Sequence, residues 1–191
     1  MARWWWVRHG PTGRIDINGW TDVPADLSDE AALARLAAAL PAGAPVVSSD
    51  LLRARSTADA IAGDRPRLEP VAGLRELNFG GWEGRGFQEV WAEDPDLARS
   101  YWERPGDVSP PGGESWNALA ARVDAAVDEI TARLAGADDI IAVAHLGPIL
   151  TQLQRARACP TREVFAQPLA NLSITRIAHS GGWQVDLVNH V

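Results

Sequence analysis

The stretch Trp4-Trp5-Trp6-Val7-Arg8-His9-Gly10 is an apolar run that ends in an arginine, a histidine and a glycine. It is too brief for a helix and is typical of a short buried β-strand. A second apolar run, Ile140-Ile141-Ala142-Val143-Ala144, ends in the same way at His145. Because the carboxyl ends of strands in an open α/β sheet face the ligand crevice, we expect His9 and His145 to lie close together. The arginine beside His9 favours an anionic ligand, with phosphate as the leading candidate.

Helical patterns separate the early strand candidates. Ser28 is a candidate N-cap for a helix with an apolar stripe at Leu33, Leu36 and Leu40. A strand candidate at 46–49 is followed by Asp50, which could cap a helix that reaches about residue 62 and carries Arg53 in its first turn. Early strands that alternate with helices predict a mostly parallel sheet covered on both faces.

The second half of the chain continues this pattern. Short helices are expected at 87–93 and 96–103, and Ser115 starts the clearest helix, with an apolar face from Leu119 to Leu134. Residues 173–177 and 183–188 flank Gly181-Gly182 and indicate a β-hairpin. We find no linker or repeat, so we expect a single domain over residues 1–191.

Composition narrows the class of protein. The net charge of −7 and the absence of a basic stripe disfavour a nucleic-acid partner. No apolar stretch approaches membrane-spanning length, and the four apolar residues at 4–7 are too few for a signal peptide. The one cysteine, Cys159, excludes an internal disulfide, so we expect a cytoplasmic setting.

The sequence lacks the residues that several catalytic mechanisms require. All 18 basic residues are arginine, which excludes a Schiff-base lysine and argues against a Walker A loop. The residue six after Cys159 is Phe165, so the Cys-(x)5-Arg loop of cysteine phosphatases is absent, as is the serine-hydrolase elbow. The histidines, at 9, 145, 179 and 190, have no metal-ligand spacing. What remains is a histidine that acts directly on an anion, with no metal or organic cofactor.

Six segments then resemble one family in its own order. They are Arg8-His9-Gly10-Pro11-Thr12, Gly19-Trp20-Thr21-Asp22, Ser48-Ser49-Asp50-Leu51-Leu52-Arg53-Ala54, Leu74-Arg75-Glu76-Leu77-Asn78-Phe79-Gly80-Gly81-Trp82-Glu83-Gly84, Pro111-Gly112-Gly113-Glu114-Ser115 and Ala144-His145-Leu146-Gly147-Pro148-Ile149. Together they resemble the histidine phosphatase superfamily, in the branch that includes cofactor-dependent phosphoglycerate mutases. The resemblance implies a three-layer α-β-α fold with a mostly parallel central sheet, like that of phosphoglycerate mutase.

The resemblance also implies roles for particular residues. His9 would be the nucleophile that becomes phosphohistidine, and Glu76 would donate a proton to the leaving oxygen. The catalytic and phosphate-binding set would be completed by Arg8, Arg53, His145, Thr12 and Leu146, the last through its backbone N–H.

Elementary chemistry agrees with these roles. Two guanidinium groups can each donate paired hydrogen bonds to a phosphoryl group in transfer. A carboxyl group beside bound phosphate holds its proton more readily, because a like charge opposes ionisation. The stretch 13–18 is shorter than in the family, which often has a phosphate-contacting asparagine here, so the role of Asn18 stays open. Glu83 and Glu114 are candidates for the pocket wall and for support of a helix start.

Three functions remain possible at this point. The compact chain and its segment 79–84 resemble the small phosphatases, which predicts a phosphomonoester hydrolase acting on a small phosphorylated metabolite. A phosphoglycerate mutase-type isomerase is the first alternative. A non-catalytic phospho-ligand binder on the same scaffold is the second. The sequence leaves the substrate and the oligomeric state open.

Overall fold

The computed structural model describes residues 2–179 and 181–191, except for the side chain of His179. Its strands are β1 (Ala2–Arg8), β2 (Val46–Ser48), β3 (Asp139–Ala144), β4 (Ile174–His179) and β5 (Trp183–His190). They form one sheet in the order β2-β3-β1-β4-β5, in which β2, β3 and β1 are parallel. β4 pairs antiparallel with both β1 and β5. The mostly parallel sheet and the hairpin around Gly181-Gly182 are therefore confirmed.

Helices cover both faces of the sheet. They are α1 (Glu30–Ala39), α2 (Leu52–Ala62), α3 (Phe87–Glu93), α4 (Pro95–Glu103), α5 (Trp116–Arg133), α6 (Leu146–Arg157) and α7 (Thr161–Phe165). Successive strand residues point to opposite faces, so Trp4 and Trp6 pack with α5 and α6, while Val7 packs with α1 and α2. The three-layer α-β-α architecture follows from this alternation.

Two of the predicted helix caps are wrong. The carboxylate of Asp29, not the hydroxyl of Ser28, accepts a hydrogen bond from a first-turn amide of α1. Asp50 does not cap α2, because its carboxylate pairs with the Arg75 guanidinium at 2.6 and 2.7 Å. The free amide of Leu52 at the start of α2 instead donates to Asp22, 2.6 Å away and 30 residues earlier. A contact across the fold replaces the local cap.

The segment between β2 and α5 forms one side of the ligand crevice. It contains two 3₁₀ turns, Ala72–Leu74 and Gly80–Trp82, followed by α3 and α4 at the predicted positions. Tyr101 of α4 makes edge-to-face contacts with Trp82 and Phe79, at ring-centroid distances of 5.1 and 6.3 Å. These aromatic contacts attach the two helices to the rest of the molecule. Among the helices that the structure describes, none combines the length and the apolarity needed to cross a bilayer.

Candidate active site

His9 and His145 meet at the carboxyl edge of the sheet. β1 and β3 pair in register up to Arg8 and Ala144, so each histidine is the next residue after its strand. Their ring centroids lie 5.0 Å apart. His9 is 7% exposed and His145 is fully buried. The two histidines that the strand pattern predicted to be close are therefore neighbours.

The hydrogen bonds of His9 define its tautomer. Its Nδ1 lies 2.7 Å from the carbonyl oxygen of Gly10, which can only accept, so Nδ1 carries the hydrogen. Nε2 then keeps its lone pair and lies 3.3 Å from Nε of Arg53, which donates to it. Burial, and then the charge of Arg53, lowers the pKa of His9 to about 3. At neutral pH His9 is an uncharged imidazole with an available ring nitrogen.

Two arginines supply positive charge beside that nitrogen. Arg53, in the first turn of α2, is held by the carbonyl oxygens of Gly19 and Thr21, which accept its Nη2 and Nη1 at 2.6 and 3.0 Å. Arg8 donates Nη1 to the carbonyl of Leu169. Burial lowers the pKa of both guanidiniums, but arginine keeps its proton in proteins. Arg53 is therefore a buried cation, and Arg8 is a partly buried one.

Several buried polar atoms of this region have no hydrogen-bond partner within residues 2–179 and 181–191. They are Nε of Arg8, both ring nitrogens of His145 and both amide atoms of Asn18. Buried donors without partners destabilise a protein, so they are typical of a site that receives a polar ligand. Donors dominate this set, and an anion is the ligand that matches them.

Glu76 lies against the N-terminus of α6. Its Oε1 accepts from the backbone amides of Leu77 and Gly147, at 2.9 and 3.0 Å. A Cβ added to Gly147 would lie only 2.2 Å from this oxygen, so a side chain at that position would displace the carboxyl group. Burial raises the pKa of Glu76, against the opposing effects of the Leu77 amide and the Arg53 charge. The group therefore holds its proton more readily than an exposed glutamate.

Glu83 and Glu114, whose roles the sequence left open, have structural roles, because their carboxylates hold neighbouring groups in place through hydrogen bonds. The Glu83 carboxylate accepts from the backbone amides of Gly19, Trp20 and Thr21, at 2.7 to 3.2 Å. Burial opposes its ionisation, but these bonds and the Thr21 hydroxyl outweigh burial and lower the pKa of Glu83. Glu83 thus fixes the loop whose carbonyls hold Arg53. Glu114 does not start α5, which Ser115 caps; its carboxylate binds the Arg122 guanidinium and the Asn78 amide.

The site opens into a cavity of about 320 Å³. Six of the residues predicted from the sequence line it: Arg8, His9, Thr12, Arg53, Glu76 and Leu146. His145 contributes through its contact with the His9 ring. Asn18, left open by the sequence, also lines the cavity, despite the shorter stretch before it.

Sequence reasoning missed the rest of the wall. Phe87 and Trp102 come from α3 and α4, while Arg14 and Asp16 come from the loop after β1. The aromatic content of the α3–α4 segment was the available signal for the first pair, but nothing in the pattern shows which ring turns inward. Among the described residues, no group of three or more His, Cys, Asp or Glu side chains could hold a metal ion.

Comparison with known proteins points to one family. The sequence model of the histidine phosphatase superfamily (branch 1) matches residues 4–191. The chain is 34% identical over 188 residues to the bifunctional protein Rv2228c of Mycobacterium tuberculosis (strain ATCC 25618 / H37Rv). The matched region covers 95% of this chain and 49% of the relative. The chain thus spans about half the length of this curated relative. It is 29% identical, over 100% of its length and 94% of the relative, to the probable phosphoglycerate mutase GpmB of Escherichia coli O1:K1 / APEC.

Solved structures give the same result. YhfR of Bacillus stearothermophilus has a TM-score of 0.89 and 26% identity, with 100% of this chain and 98% of that chain covered. The mycobacterial glucosyl-3-phosphoglycerate phosphatase Rv2419c, in complex with inorganic phosphate, has a TM-score of 0.82 and 28% identity, with 98% and 96% covered. The relatives thus include a phosphatase that binds phosphate. With a family match over nearly its whole length, the chain belongs to the histidine phosphatase superfamily, branch 1.

Proposed function

We propose that this chain is a phosphomonoester hydrolase that works through a phosphohistidine on His9, with a small phosphorylated metabolite as its substrate. One observation carries the proposal: an uncharged His9, whose unprotonated Nε2 keeps a lone pair, shares a cavity with two guanidiniums and a carboxyl group whose pKa is raised. The nucleophile, the groups that bind the phosphoryl oxygens and the proton donor that the reaction requires would thus all line one cavity.

In the first step the lone pair of His9 Nε2 attacks phosphorus. The bond between phosphorus and the ester oxygen breaks, and its electron pair stays on that oxygen. Glu76 gives its proton to the oxygen, so the product leaves as a neutral alcohol. Arg8 and Arg53 stabilise the charge on the phosphoryl oxygens, together with His145, Asn18, Thr12 and the backbone amide of Leu146.

In the second step water attacks the phosphohistidine. The Glu76 carboxylate takes a proton from the water as the new oxygen–phosphorus bond forms. The phosphorus–Nε2 bond breaks and returns its electron pair to His9. Inorganic phosphate leaves, and both residues regain their starting protonation states.

The charge balance of the cavity favours hydrolysis over the mutase alternative. A mutase has to hold a second acidic group on its substrate while the phosphoryl group moves. Arg14, the further cation that lines the cavity, donates its Nε to the Asp16 carboxylate at 2.7 Å and is already paired. The similarity to GpmB keeps the mutase as the alternative that an experiment has to exclude.

The test measures inorganic phosphate released from a panel of phosphomonoesters by the purified protein and by His9→Ala. We expect turnover by the parent, an acid-labile phosphoryl group on His9 in quenched samples, and neither in the variant. The mutase would be established if, in the presence of a bisphosphate primer, the protein converts 3-phosphoglycerate to 2-phosphoglycerate faster than it releases phosphate. Stoichiometric phosphate binding without turnover of any ester would leave only a binding protein.

A further inference from the structure

A second cavity of about 290 Å³ adjoins the catalytic one. The two share four lining residues: Glu76, Phe79, Trp102 and Leu146. Glu76, which we propose as the proton donor to the leaving oxygen, therefore lies at the boundary between them. The organic part of a bound ester starts at that oxygen, so the second cavity is placed to receive it.

The wall of the second cavity is apolar. Trp116, Leu150 and Phe165 form its far side, and Trp116 and Leu150 are 4% and 5% exposed. The Trp116 and Phe165 rings pack edge to face at a centroid distance of 4.7 Å. The one polar atom of the Trp116 side chain points to Gln154, whose Oε1 accepts its Nε1 at 2.7 Å. The surface offered to a ligand is thus made of ring faces and methyl groups.

The second cavity offers no second charged group to the organic part. In the part of the chain that the structure describes, Glu76 is the only ionisable side chain that lines it. Arg14 and Asp16 line the catalytic cavity instead, where they pair with each other. A carboxylate, ammonium or second phosphate that entered the second cavity would lose its hydration without gaining a partner.

We propose that the substrate is the phosphomonoester of an apolar alcohol, with an aromatic or branched hydrocarbon group and no second charge, which occupies the cavity between Trp102, Leu150 and Phe165. This inference rests on the proposed hydrolase function and names its substrate class. Burial of apolar area supplies the selectivity, because each methylene that enters an apolar pocket contributes roughly tenfold or more.

The test uses four esters of primary alcohols, so that the leaving oxygen is similar throughout: O-phosphoserine, glycerol 1-phosphate, 3-phenylpropyl phosphate and 2-(2-naphthyl)ethyl phosphate. We expect kcat/KM for the two arylalkyl esters to exceed that for the two polar esters by at least about tenfold. Leu150→Asn, which places an amide in the cavity wall, and Phe165→Ala, which removes a ring, should each reduce this preference by about tenfold.

The matched control is Trp91→Ala, because Trp91 lies on α3, is 40% exposed and lines neither cavity. It should keep the preference of the parent. If the parent hydrolyses phosphoserine or glycerol phosphate as fast as the arylalkyl esters, the substrate class is wrong while the hydrolase proposal stands. If both cavity variants keep the preference, the subsite is wrong. If no ester yields phosphate and His9 is never phosphorylated, both proposals fail.

Discussion

At the scale of single residues, the proton of Glu76 distinguishes two kinds of substrate. An alkyl ester leaves as a strongly basic oxygen that needs a proton, whereas a nitrophenolate leaves without one. Glu76→Gln should therefore lower kcat/KM, which reports the first step alone, by about 10²- to 10⁴-fold for 3-phenylpropyl phosphate but by less than about tenfold for 4-nitrophenyl phosphate. Initial rates with the two esters measure the difference. Equal losses would contradict the general-acid role.

The same proton gives the reaction an alkaline limb. Burial raises the pKa of Glu76, and the proton donor is lost once the pH rises through that pKa. Alkyl-ester turnover should therefore decline on the alkaline side while 4-nitrophenyl phosphate turnover declines less. The acid side is not limited by His9 above about pH 3, because its pKa is lowered to about 3.

Arg53 acts through the geometry of its guanidinium as well as its charge. It donates to two loop carbonyls and to His9 at once, which a lysine ammonium cannot do in the same plane. Arg53→Lys should reduce kcat/KM by about a hundredfold. Arg55→Lys, an exposed arginine on the same helix, is the matched control and should leave kcat/KM unchanged. Steady-state kinetics of both variants decide the point, and a small loss in Arg53→Lys would mean that charge alone suffices.

Much of the candidate site could be predicted from the sequence at this scale. His9 and His145 follow apolar runs that form adjacent parallel strands, and a continuous apolar run is a local signal that can be read from the sequence. The partners of Glu83 could not be predicted, because its carboxylate reaches amides 62 to 64 residues earlier. Asn18 was left open because the stretch before it is shorter than in the family, and its position depends on the path of that loop.

At the scale of elements, the start of α6 leaves no room for a side chain at Gly147. A Cβ there would lie 2.2 Å from Oε1 of Glu76 and 3.1 Å from Leu119. Gly147→Ala should displace the carboxyl group and reduce kcat/KM for alkyl esters by about 10²-fold, with a smaller loss of kcat/KM for 4-nitrophenyl phosphate. Gly182→Ala is the control, because a Cβ there meets no described atom within 4 Å. A Gly147→Ala protein with parental kcat/KM on both esters would show that Glu76 needs no such support.

Helix positions followed from periodicity, whereas only one of three predicted caps, Ser115, is found in the structure. The apolar spacing of α5 fixes its buried face from Leu119 to Ile130, and Ser115 caps it as predicted. At α2 the local candidate Asp50 is taken by Arg75, and the cap comes from Asp22 instead. A local acid serves as a cap only where no stronger partner competes for it, and the guanidinium is the stronger partner.

At the scale of the whole molecule, the buried histidines couple stability to pH. The folded chain lowers the pKa of both His9 and His145, mainly by burial. Below about pH 6.5, the ordinary histidine pKa, the unfolded chain therefore binds protons that the folded chain does not. Their contribution to stability is complete above that pH and is lost as the pH falls toward about 3, the pKa of folded His9. Glu76 has the opposite sign, because its raised pKa lets the folded chain hold a proton that the unfolded chain releases.

As the pH falls below 6.5, the two histidines leave the unfolded chain with more bound protons than the folded chain, and Glu76 offsets part of this excess. The free energy of unfolding should therefore fall as the pH is lowered from about 6.5 to about 4.5, and each histidine contributes up to about 1.4 kcal/mol per pH unit to that slope. Urea unfolding at several pH values measures the slope. His9→Asn removes one of the two histidines and should flatten it, and an unchanged slope in that variant would contradict the assignment.

The central strand also constrains the order in which the molecule can be made. β1 pairs on one side with β3, where Arg3 meets Asp139 across a separation of 136 residues, and on the other side with β4. His9 therefore has no neighbouring strand on either side until β3 and β4 have been synthesised. Such distant pairing slows assembly. If the proposed function is correct, a fragment that ends before β3 should be inert toward phosphate esters.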